Sequence, residues 1–236
     1  MLGTLINAVL VVVGGIIGIL IGSRLPGKLR ETVMSGLGLF TIGYGVFSFL
    51  KTSNPLIPLG GLVLGALLGE WWQIEDLLGK LGEKIRIKVY NRFPNAPETH
   101  FVDGFVTSSL LFCIGPMAIL GSIQDGLSGD SSMLIIKAVM DGFAAIAFAS
   151  TLGFGVLFSS LVVFIYQGSI SLLAGLLSTN FSDAMVNEMS AVGGLILIGL
   201  AISSLLEIKK IRIGSFLPAL VITPLIVWLM GLLKVI

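Results

Sequence analysis

Two oppositely charged residues, Lys137 and Asp141, interrupt an otherwise apolar stretch of the sequence. Residues four apart on a helix lie on one face, so these side chains can form an ion pair. Counted from Ser132 at about 1.5 Å per residue, Asp141 lies roughly 13 Å deep in a ~30 Å hydrocarbon core. Ionisable residues at this depth are costly and are functional candidates. The pattern predicts a carboxylate that binds or exchanges a cation or proton. The alternatives are a buried pair that fixes helix register, or a Lys137 side chain that reaches out to the surface.

A break in an earlier apolar segment supplies a second candidate. Gly115-Pro116 follows Thr107, Ser108 and Ser109. Proline removes a backbone hydrogen bond and frees a carbonyl one turn earlier. Freed backbone at membrane depth is tolerated where it is buried in protein or lines a cavity. The segment therefore predicts either a binding site beside Ser108 or a simple kink.

Further polar side chains extend this set. Gln124, Asp125 and Asp130 predict an acidic outer loop that is merely solvated or else attracts cations. Gln167 lies in a later apolar segment, and Glu188 opens another. The residues predicted to bind a substrate or ion are Asp141, Lys137, Gln124, Asp125, Ser108, Gln167, Glu188, Gly115 and Pro116.

Enzyme motifs do not account for these residues. The string Gly126-Leu-Ser-Gly129 matches the Gly-x-Ser-Gly of rhomboid intramembrane proteases, which need a histidine base on a later helix. The one histidine, His100, comes earlier and is predicted on the opposite side of the membrane. The sequence also contains no zinc-protease string, no phosphate-binding glycine loop and no Cys/His ligand cluster. We predict no catalytic residue, no metal site and no cofactor, and therefore no enzyme.

Composition determines which elements must position the polar residues. The 236 residues are 55% hydrophobic and 11% charged, with mean hydropathy +1.04. A soluble domain carries about 25% charged residues, so this chain cannot cover a water-facing surface. The net charge of +1 is no basis for binding nucleic acid, and the single cysteine, Cys113, excludes an internal disulfide. The fold class predicted is an all-α, polytopic transmembrane helix bundle.

Apolar segments and basic residues together predict about eight spans. The predicted spans are 2–21, 33–50, 56–72, 101–122, 133–150, 153–177, 189–206 and 214–233. Segments 22–32, 70–100 and 207–213 hold three, five and three of the 14 Lys and Arg residues. The positive-inside rule places these segments in the cytoplasm and both termini outside. One crossing plus a re-entrant segment within 133–177, giving seven spans, stays open. The first span lacks a basic leader and a cleavage site, and is expected to be retained.

Two kinds of helix face complete the predicted domain, a single integral membrane domain over 1–236. Glycines recur every four residues in the first span (Gly14, Gly18, Gly22) and in the third (Gly61, Gly65, Gly69), a spacing typical of closely packed helices. Residues 73–90 have one apolar face among charges, which predicts an amphipathic helix on the cytoplasmic surface. That helix either braces the spans or docks a partner.

Two pairs of similar stretches within the sequence suggest an inverted repeat as an alternative. The stretch 33–46 resembles 139–156, and these would run in opposite directions through the membrane, as inverted repeats do. The stretch 60–70 resembles 193–207, and these would run in the same direction, which a simple inversion cannot produce. Helices rich in small residues also resemble one another by composition.

Several strings resemble an uncharacterised bacterial membrane family, the domain of unknown function 554. They are Cys113-Ile-Gly-Pro-Met-Ala-Ile-Leu-Gly-Ser-Ile-Gln-Asp-Gly126, Lys137-Ala-Val-Met-Asp-Gly142, Phe148-Ala-Ser-Thr-Leu-Gly153, Tyr166-Gln-Gly168 and Glu188-Met-Ser-Ala-Val-Gly-Gly194. The resemblance covers essentially the whole chain. It implies a multi-pass protein of the bacterial cytoplasmic membrane, of a kind labelled as transport proteins, and it implies no substrate.

The leading functional hypothesis is a small secondary transporter or permease with its site between the fourth and seventh spans. Asp141 would bind a cation or proton, with Lys137 as its alternating partner. The alternatives are a scaffold or accessory subunit that docks through 73–90, and a channel. The partners expected are the lipid bilayer and a small solute or ion, without nucleic acid. A homo-oligomer stays open.

Overall fold

Helices make up most of the part of the chain that the structure describes. This computed structural model describes residues 1–22, 26–92, 100–174 and 182–232, and these ranges contain no β-strand. The predicted loop 91–98 lies mostly outside the described residues, and Lys234 lies wholly outside them. The helices are α1 (Leu2–Gly22), α2 (Gly27–Phe49), α3 (Leu56–Trp71), α4 (Ile74–Arg92), α5 (Phe101–Cys113), α6 (Pro116–Ser128), α7 (Ser132–Leu152), α8 (Gly155–Leu172), α9 (Asp183–Leu200) and α10 (Ala219–Leu232). A π-helical turn, Ala201–Leu205, extends α9, and a 3-10 turn, Ile213–Phe216, precedes α10.

The predicted polytopic bundle is confirmed, with six to eight candidate membrane-spanning helices. Six single segments are long and apolar enough to cross a membrane. Two bent pairs raise the number to eight: α3 with α4, which meet at 57°, and α5 with α6, which meet at 62°. The predicted break after Leu152 is confirmed too, because α7 ends there and Gly153 has a φ of 76°, a left-handed conformation that favours glycine.

Two compact units make up the chain. Unit 1 comprises Met1–Leu37 and Gly79–Thr179, and unit 2 comprises Gly38–Leu78 and Asn180–Ile236. The boundaries fall within α2 and within α4. Unit 1 is built from α1, α5, α6, α7 and α8, and α1 packs most extensively on α7. In unit 2, α3 packs on α10 and on the 3-10 turn, and α9 packs on α10.

The α5–α6 pair traverses unit 1 from end to end. Gly155, at the start of α8, packs on the backbone of Phe101, at the start of α5. Gly126, near the end of α6, packs on the backbone of Ser171, near the end of α8. The bent pair therefore follows α8 along its length, which makes it one crossing with a bend at Ile114-Gly115, not a hairpin that returns to its starting side.

The glycine spacing of α1 produces a close parallel contact within unit 1. A Cβ atom added at Gly14, Gly18 or Gly22 would overlap a backbone carbonyl oxygen of α7. The three carbonyls belong to Gly142, Ile146 and Ser150, which also advance by four residues. The two helices therefore run in the same direction with their backbones in contact, as small-residue spacing allows in membranes.

The second stripe forms an antiparallel contact within unit 2. Gly61, Gly65 and Gly69 of α3 meet Thr223, Ala219 and Ser215 in that order. Numbers that rise on one helix fall on the other, so these segments run in opposite directions. The two glycine stripes are thus not copies of one helix pair. The predicted repeat gains no support from them.

The exposed surface of α1 is that of a helix in lipid. Its buried residues are Gly3, Thr4, Asn7, Val11, Gly14, Gly15 and Gly18. Its exposed residues include Leu2, Leu5, Val9, Val13, Ile16, Ile17 and Leu20. A helix in water would bury the large aliphatic side chains and expose the polar ones. Here small and polar residues form the helix contacts, which is the arrangement expected where lipid surrounds the protein.

A helix, α4, covers most of the segment 73–90 in which an amphipathic helix was predicted. Leu77, Leu81 and Ile87 are exposed on it, among charged side chains. In unit 2 its first turn is bound to the polar segment before α10: the carboxylate of Glu75 accepts from the N–H of Gly214 at 2.5 Å, and Arg212 pairs with Asp76 at 2.9 Å. These bonds hold the start of α4 next to the 3-10 turn.

Candidate functional site

The Lys137–Asp141 pair is buried within α7. The two side chains form an ion pair with a direct hydrogen bond, as their spacing predicts. Lys137 is 7% exposed and Asp141 is 8% exposed, and Asp141 lies near the middle of this 21-residue helix. The alternative in which Lys137 reaches out to the surface is therefore wrong.

A residue that the sequence reading missed, Asn7 of α1, completes the environment of Asp141. Its side-chain nitrogen donates to Asp141 Oδ2 at 3.0 Å and to Gln167 Oε1 of α8 at 3.2 Å. Asn7 and Gln167 are both fully buried. Three helices of unit 1 thus meet at one polar cluster of Asn7, Lys137, Asp141 and Gln167. We call it the Asp141 cluster and include Thr4, which lies one turn before Asn7 on the buried face of α1.

A signal for Asn7 was present in the sequence. It is the single amide in α1, and it shares a face with Thr4, Val11, Gly14 and Gly18 at alternating steps of three and four residues. That face carries the glycine stripe and is the packed face of the helix. A polar residue in a span and on its packed face is expected to meet a polar partner.

The carboxylate of Asp141 determines how both amides are oriented. An ionised carboxylate only accepts hydrogen bonds, so the Asn7 atom that faces it must be the NH2 nitrogen. That nitrogen uses its second hydrogen on Gln167, so the Gln167 atom that faces it must be the oxygen. The orientation of Gln167 is therefore linked through Asn7 to the charge of Asp141.

Three polar atoms of the cluster are buried without a hydrogen-bond partner. They are Thr4 Oγ1, Asn7 Oδ1 and Gln167 Nε2. Buried polar groups are hydrogen-bonded in more than about nine cases out of ten, and each exception calls for an explanation. Asn7 Oδ1 is an acceptor, Gln167 Nε2 is a donor, and the Thr4 hydroxyl is both. These atoms are therefore buried polar groups that a bound ligand could satisfy.

The bend of the α5–α6 crossing lies beside α7, because both α5 and α6 pack on that helix. Cys113 is the last residue of α5. Gly115 has extended backbone, and Pro116 is the first residue of α6. Ser108 is fully buried, but its hydroxyl donates to the carbonyl of Gly104 in its own helix at 2.5 Å. Ser108 is thus hydrogen-bonded within α5 and does not join the cluster.

Our prediction of an acidic outer loop from Gln124 to Asp130 is wrong for two of its three members. Gln124 and Asp125 lie in α6, which continues to Ser128. Asp125 is 3% exposed; it accepts from Ser131 at 2.7 Å and lies 3.0 Å from the amino group of Met1. The longer helix buries Asp125 against the beginning of α1.

The remaining acid of that region, Asp130, lies in the turn after α6. The hydroxyl and the backbone N–H of Ser132 donate to it at 2.6 Å and 3.0 Å, and Gln124 Nε2 donates at 2.6 Å. These donors stabilise the ionised carboxylate and hold the pKa of Asp130 below its usual value. Gln124 is half-buried, and its side chain stabilises this turn.

Glu188 belongs to unit 2, where it forms a separate buried site. It is 1% exposed, and its carboxylate accepts from the Thr52 hydroxyl at 2.5 Å and from the Ser53 backbone and hydroxyl at 2.9 Å and 3.0 Å. In the described residues its hydrogen-bond donors are all neutral. Glu188 therefore connects α9 to the turn between α2 and α3.

Unit 2 also has an open groove of about 730 Å³ between α3 and the segment 211–216. Leu62, Ala66 and Leu67 are among the apolar residues that line it. The charged groups at its edge are paired, because Arg212 lies 2.8 Å from Glu70. The groove offers no buried unpaired polar atom of its lining residues, so the Asp141 cluster remains the better candidate site.

Comparison with known proteins decides the family. The family model described as "Protein of unknown function (DUF554)" matches residues 2–228. The chain belongs to this DUF554 family. The resemblance expected from the sequence strings is thereby confirmed. No solved structure matches the chain.

Two relatives of this DUF554 chain extend over nearly its whole length. The uncharacterised membrane protein YdfK of Bacillus subtilis is 31% identical over 232 residues, which cover 97% of this chain and 96% of that protein. The uncharacterised protein YqgA of Escherichia coli is 31% identical over 221 residues, 94% of each chain. These similarities and the apolar helices together show that the chain is a multi-pass membrane protein.

Proposed function

We propose that this DUF554 chain is a secondary transporter or permease for a small solute, and that the Asp141 cluster is its binding site. The observation that carries the proposal is the buried ion pair of Lys137 and Asp141, joined by Asn7 to Gln167, halfway along a candidate span. Charges and amides at such depth are costly, and the sites of transporters are typically built near the bilayer midplane.

Packing alone is a weaker explanation for this cluster. A pair that only fixed helix register would be most stable if every buried group were satisfied, because partly satisfied polar networks are less stable than apolar cores. This cluster instead leaves three buried atoms without partners. The glycine contacts between α1 and α7 already determine how these two helices pack, so the polar residues are not needed for that purpose.

We also propose a cytoplasmic-membrane location with the Met1 end of unit 1 outside. The distribution of basic residues supports this orientation. Within unit 2, segments that this rule assigns to the same side of the membrane contact one another. Thr52 contacts Glu188 on the proposed outer side, and Arg212 contacts Glu70 and Asp76 on the proposed inner side. No catalytic residue, cofactor or nucleic acid enters the proposal.

Transport is tested by reconstituting the purified full chain into proteoliposomes. The uptake of radiolabelled amino acids, organic acids, small amides and alkali cations is compared with protein-free liposomes. We expect at least one solute to enter faster, and Asp141→Asn to lose that uptake. Glu83→Gln is the matched control, because it makes the same acid-to-amide change in a part-buried pair with Arg86 on α4 that is not part of the Asp141 cluster.

Each outcome separates the proposal from its alternatives. Uptake that is unchanged in Asp141→Asn would overturn the assignment of the site. No uptake of any solute, by protein that is folded in the same liposomes, would favour the scaffold or accessory subunit. Uptake that rises in proportion to solute concentration without saturating, and that is as fast as flow through an open pore, would favour a channel.

A further inference from the structure

We infer that the ligand of the Asp141 cluster is a small polar molecule without net charge that presents a hydrogen-bond donor and an acceptor close together, as a simple amide does. This inference deepens the proposed function and rests on it for transport. Binding of such a ligand can be measured without transport.

Electroneutrality is the first reason. Lys137 and Asp141 neutralise each other in direct contact, and both are more than nine-tenths buried. A metal cation or an anion added to this pair would leave one uncompensated charge within the membrane, which is strongly unfavourable. An uncharged ligand leaves the pair intact. The cluster is therefore better suited to a neutral solute than to an inorganic ion.

The unpaired atoms are the second reason. Asn7 Oδ1 requires a donor and Gln167 Nε2 requires an acceptor, and both side chains are fully buried. Their two amides are hydrogen-bonded to each other, so the unpaired atoms lie on neighbouring groups. A ligand with a carbonyl oxygen and an N–H on adjacent atoms can satisfy both at once. The hydroxyl of Thr4, which is also unpaired, can donate to the carbonyl oxygen of such a ligand or accept from its N–H.

Close packing limits the size of the ligand. The backbones of α1 and α7 touch at Gly14 and Gly142, just beyond the cluster. On the other side, a Cβ atom at Gly168 would lie 3.3 Å from the Met1 side chain and 3.9 Å from that of Thr4. A ligand between these contacts has only a few heavy atoms. Urea and acetamide are the probes that fit this description.

The test uses the full chain in proteoliposomes and in detergent. The entry of urea and of acetamide is measured by stopped-flow light scattering and compared with that of sodium acetate and of sodium chloride. Binding is measured separately with acetamide alone, as the shift of the thermal unfolding midpoint at one ionic strength, because urea itself unfolds proteins. We expect both amides to enter faster than in protein-free liposomes, and acetamide to stabilise the protein more than either salt does.

Variants connect these effects to the unpaired atoms. Gln167→Met keeps the length of the side chain but removes its N–H groups, and Asn7→Leu removes the acceptor. We expect each to lower protein-mediated entry of the amides at least about tenfold, because each removes a hydrogen bond to the ligand in a buried site. Asn91→Leu is the control, since Asn91 is exposed at the end of α4.

The outcomes distinguish this inference from the proposed function. Stabilisation by sodium ions and not by amides, with sodium flux that depends on Asp141, would overturn the neutral ligand and leave a transporter. Amide binding that is lost in Gln167→Met, without any flux, would support the ligand class and overturn transport. If no probe binds and no variant changes solute entry, the unpaired atoms hold bound water only, and the inference is wrong.

Discussion

The side-chain nitrogen of Asn7 lies 3.0 Å from Asp141 Oδ2, which joins the first helix to one that begins more than a hundred residues later. The same nitrogen reaches Gln167 on a third helix. Hydrogen bonds therefore link Asp141 of α7 to α1 directly and to α8 through Asn7. Neutralising the carboxylate would weaken the bond from Asn7 and so alter the contacts among all three helices.

The first prediction separates stability from function at the ion pair. Lys137→Met alone leaves a buried carboxylate without its counter-charge, and we expect it to lower the free energy of unfolding by about 3–5 kcal/mol. The double variant Lys137→Met with Asp141→Leu removes both charges, and we expect it to cost much less. Thermal unfolding in detergent measures both effects.

If the cluster binds solute, the double variant should be well folded and inactive in flux. Full flux in the double variant would make Asp141 a packing residue. A double variant less stable than Lys137→Met alone would contradict the buried-pair explanation.

The second prediction concerns the glycine contacts. We expect Gly18→Leu and Gly65→Leu to destabilise or misassemble the protein, because the new side chains would occupy the positions of Ile146 and Ala219 backbone atoms. Gly43→Leu is the control, since an added Cβ at this helical glycine meets no atom within 4 Å. The measurements are the yield of monodisperse protein and its unfolding temperature. Equal results for Gly65→Leu and Gly43→Leu would contradict the packing of α3 on α10.

The third prediction concerns orientation in the membrane. In a Cys113→Ser background, we expect Ser128→Cys to react with an impermeant thiol reagent from outside, and Lys80→Cys to be protected until the membrane is opened. Both positions are exposed in the structure. Ser23 and Asn180 lie outside the described residues. They serve as a second pair, in which the predicted orientation protects Ser23→Cys and exposes Asn180→Cys to the reagent. Protection of Ser128→Cys with labelling of Lys80→Cys would reverse the orientation.

The fourth prediction concerns Glu188. Glu188→Gln retains one acceptor oxygen for Ser53, and the Thr52 hydroxyl can turn to accept from the new NH2 group, so we expect a small change in stability. Glu188→Leu leaves the Ser53 N–H and both hydroxyls without their acceptor. We expect it to lower the free energy of unfolding by at least about 1–3 kcal/mol. Chemical denaturation in mild detergent measures the difference. Equal destabilisation by both variants would mean that Glu188 acts by its charge.

The local features of this protein follow from its sequence, for identifiable reasons. Length and hydropathy are enough to delimit spans, because each must be apolar over the same membrane thickness. The Lys137–Asp141 pair and the break at Gly115 depend on residues within five positions of one another, so helix geometry alone predicts them. The glycine stripes predict close contact in the same way.

What tertiary structure decided is which helices meet, and in which direction. The same four-residue glycine spacing forms a parallel contact in α1 and an antiparallel one in α3, because spacing defines a face and not its partner. The sequence predicts Asp125 in a solvated loop, but in the structure α6 continues past Asp125 and buries it beside α1. Asn7, Asp141 and Gln167 come together only when three helices pack, since hydrogen bonds over such sequence separations leave no periodic pattern in the chain.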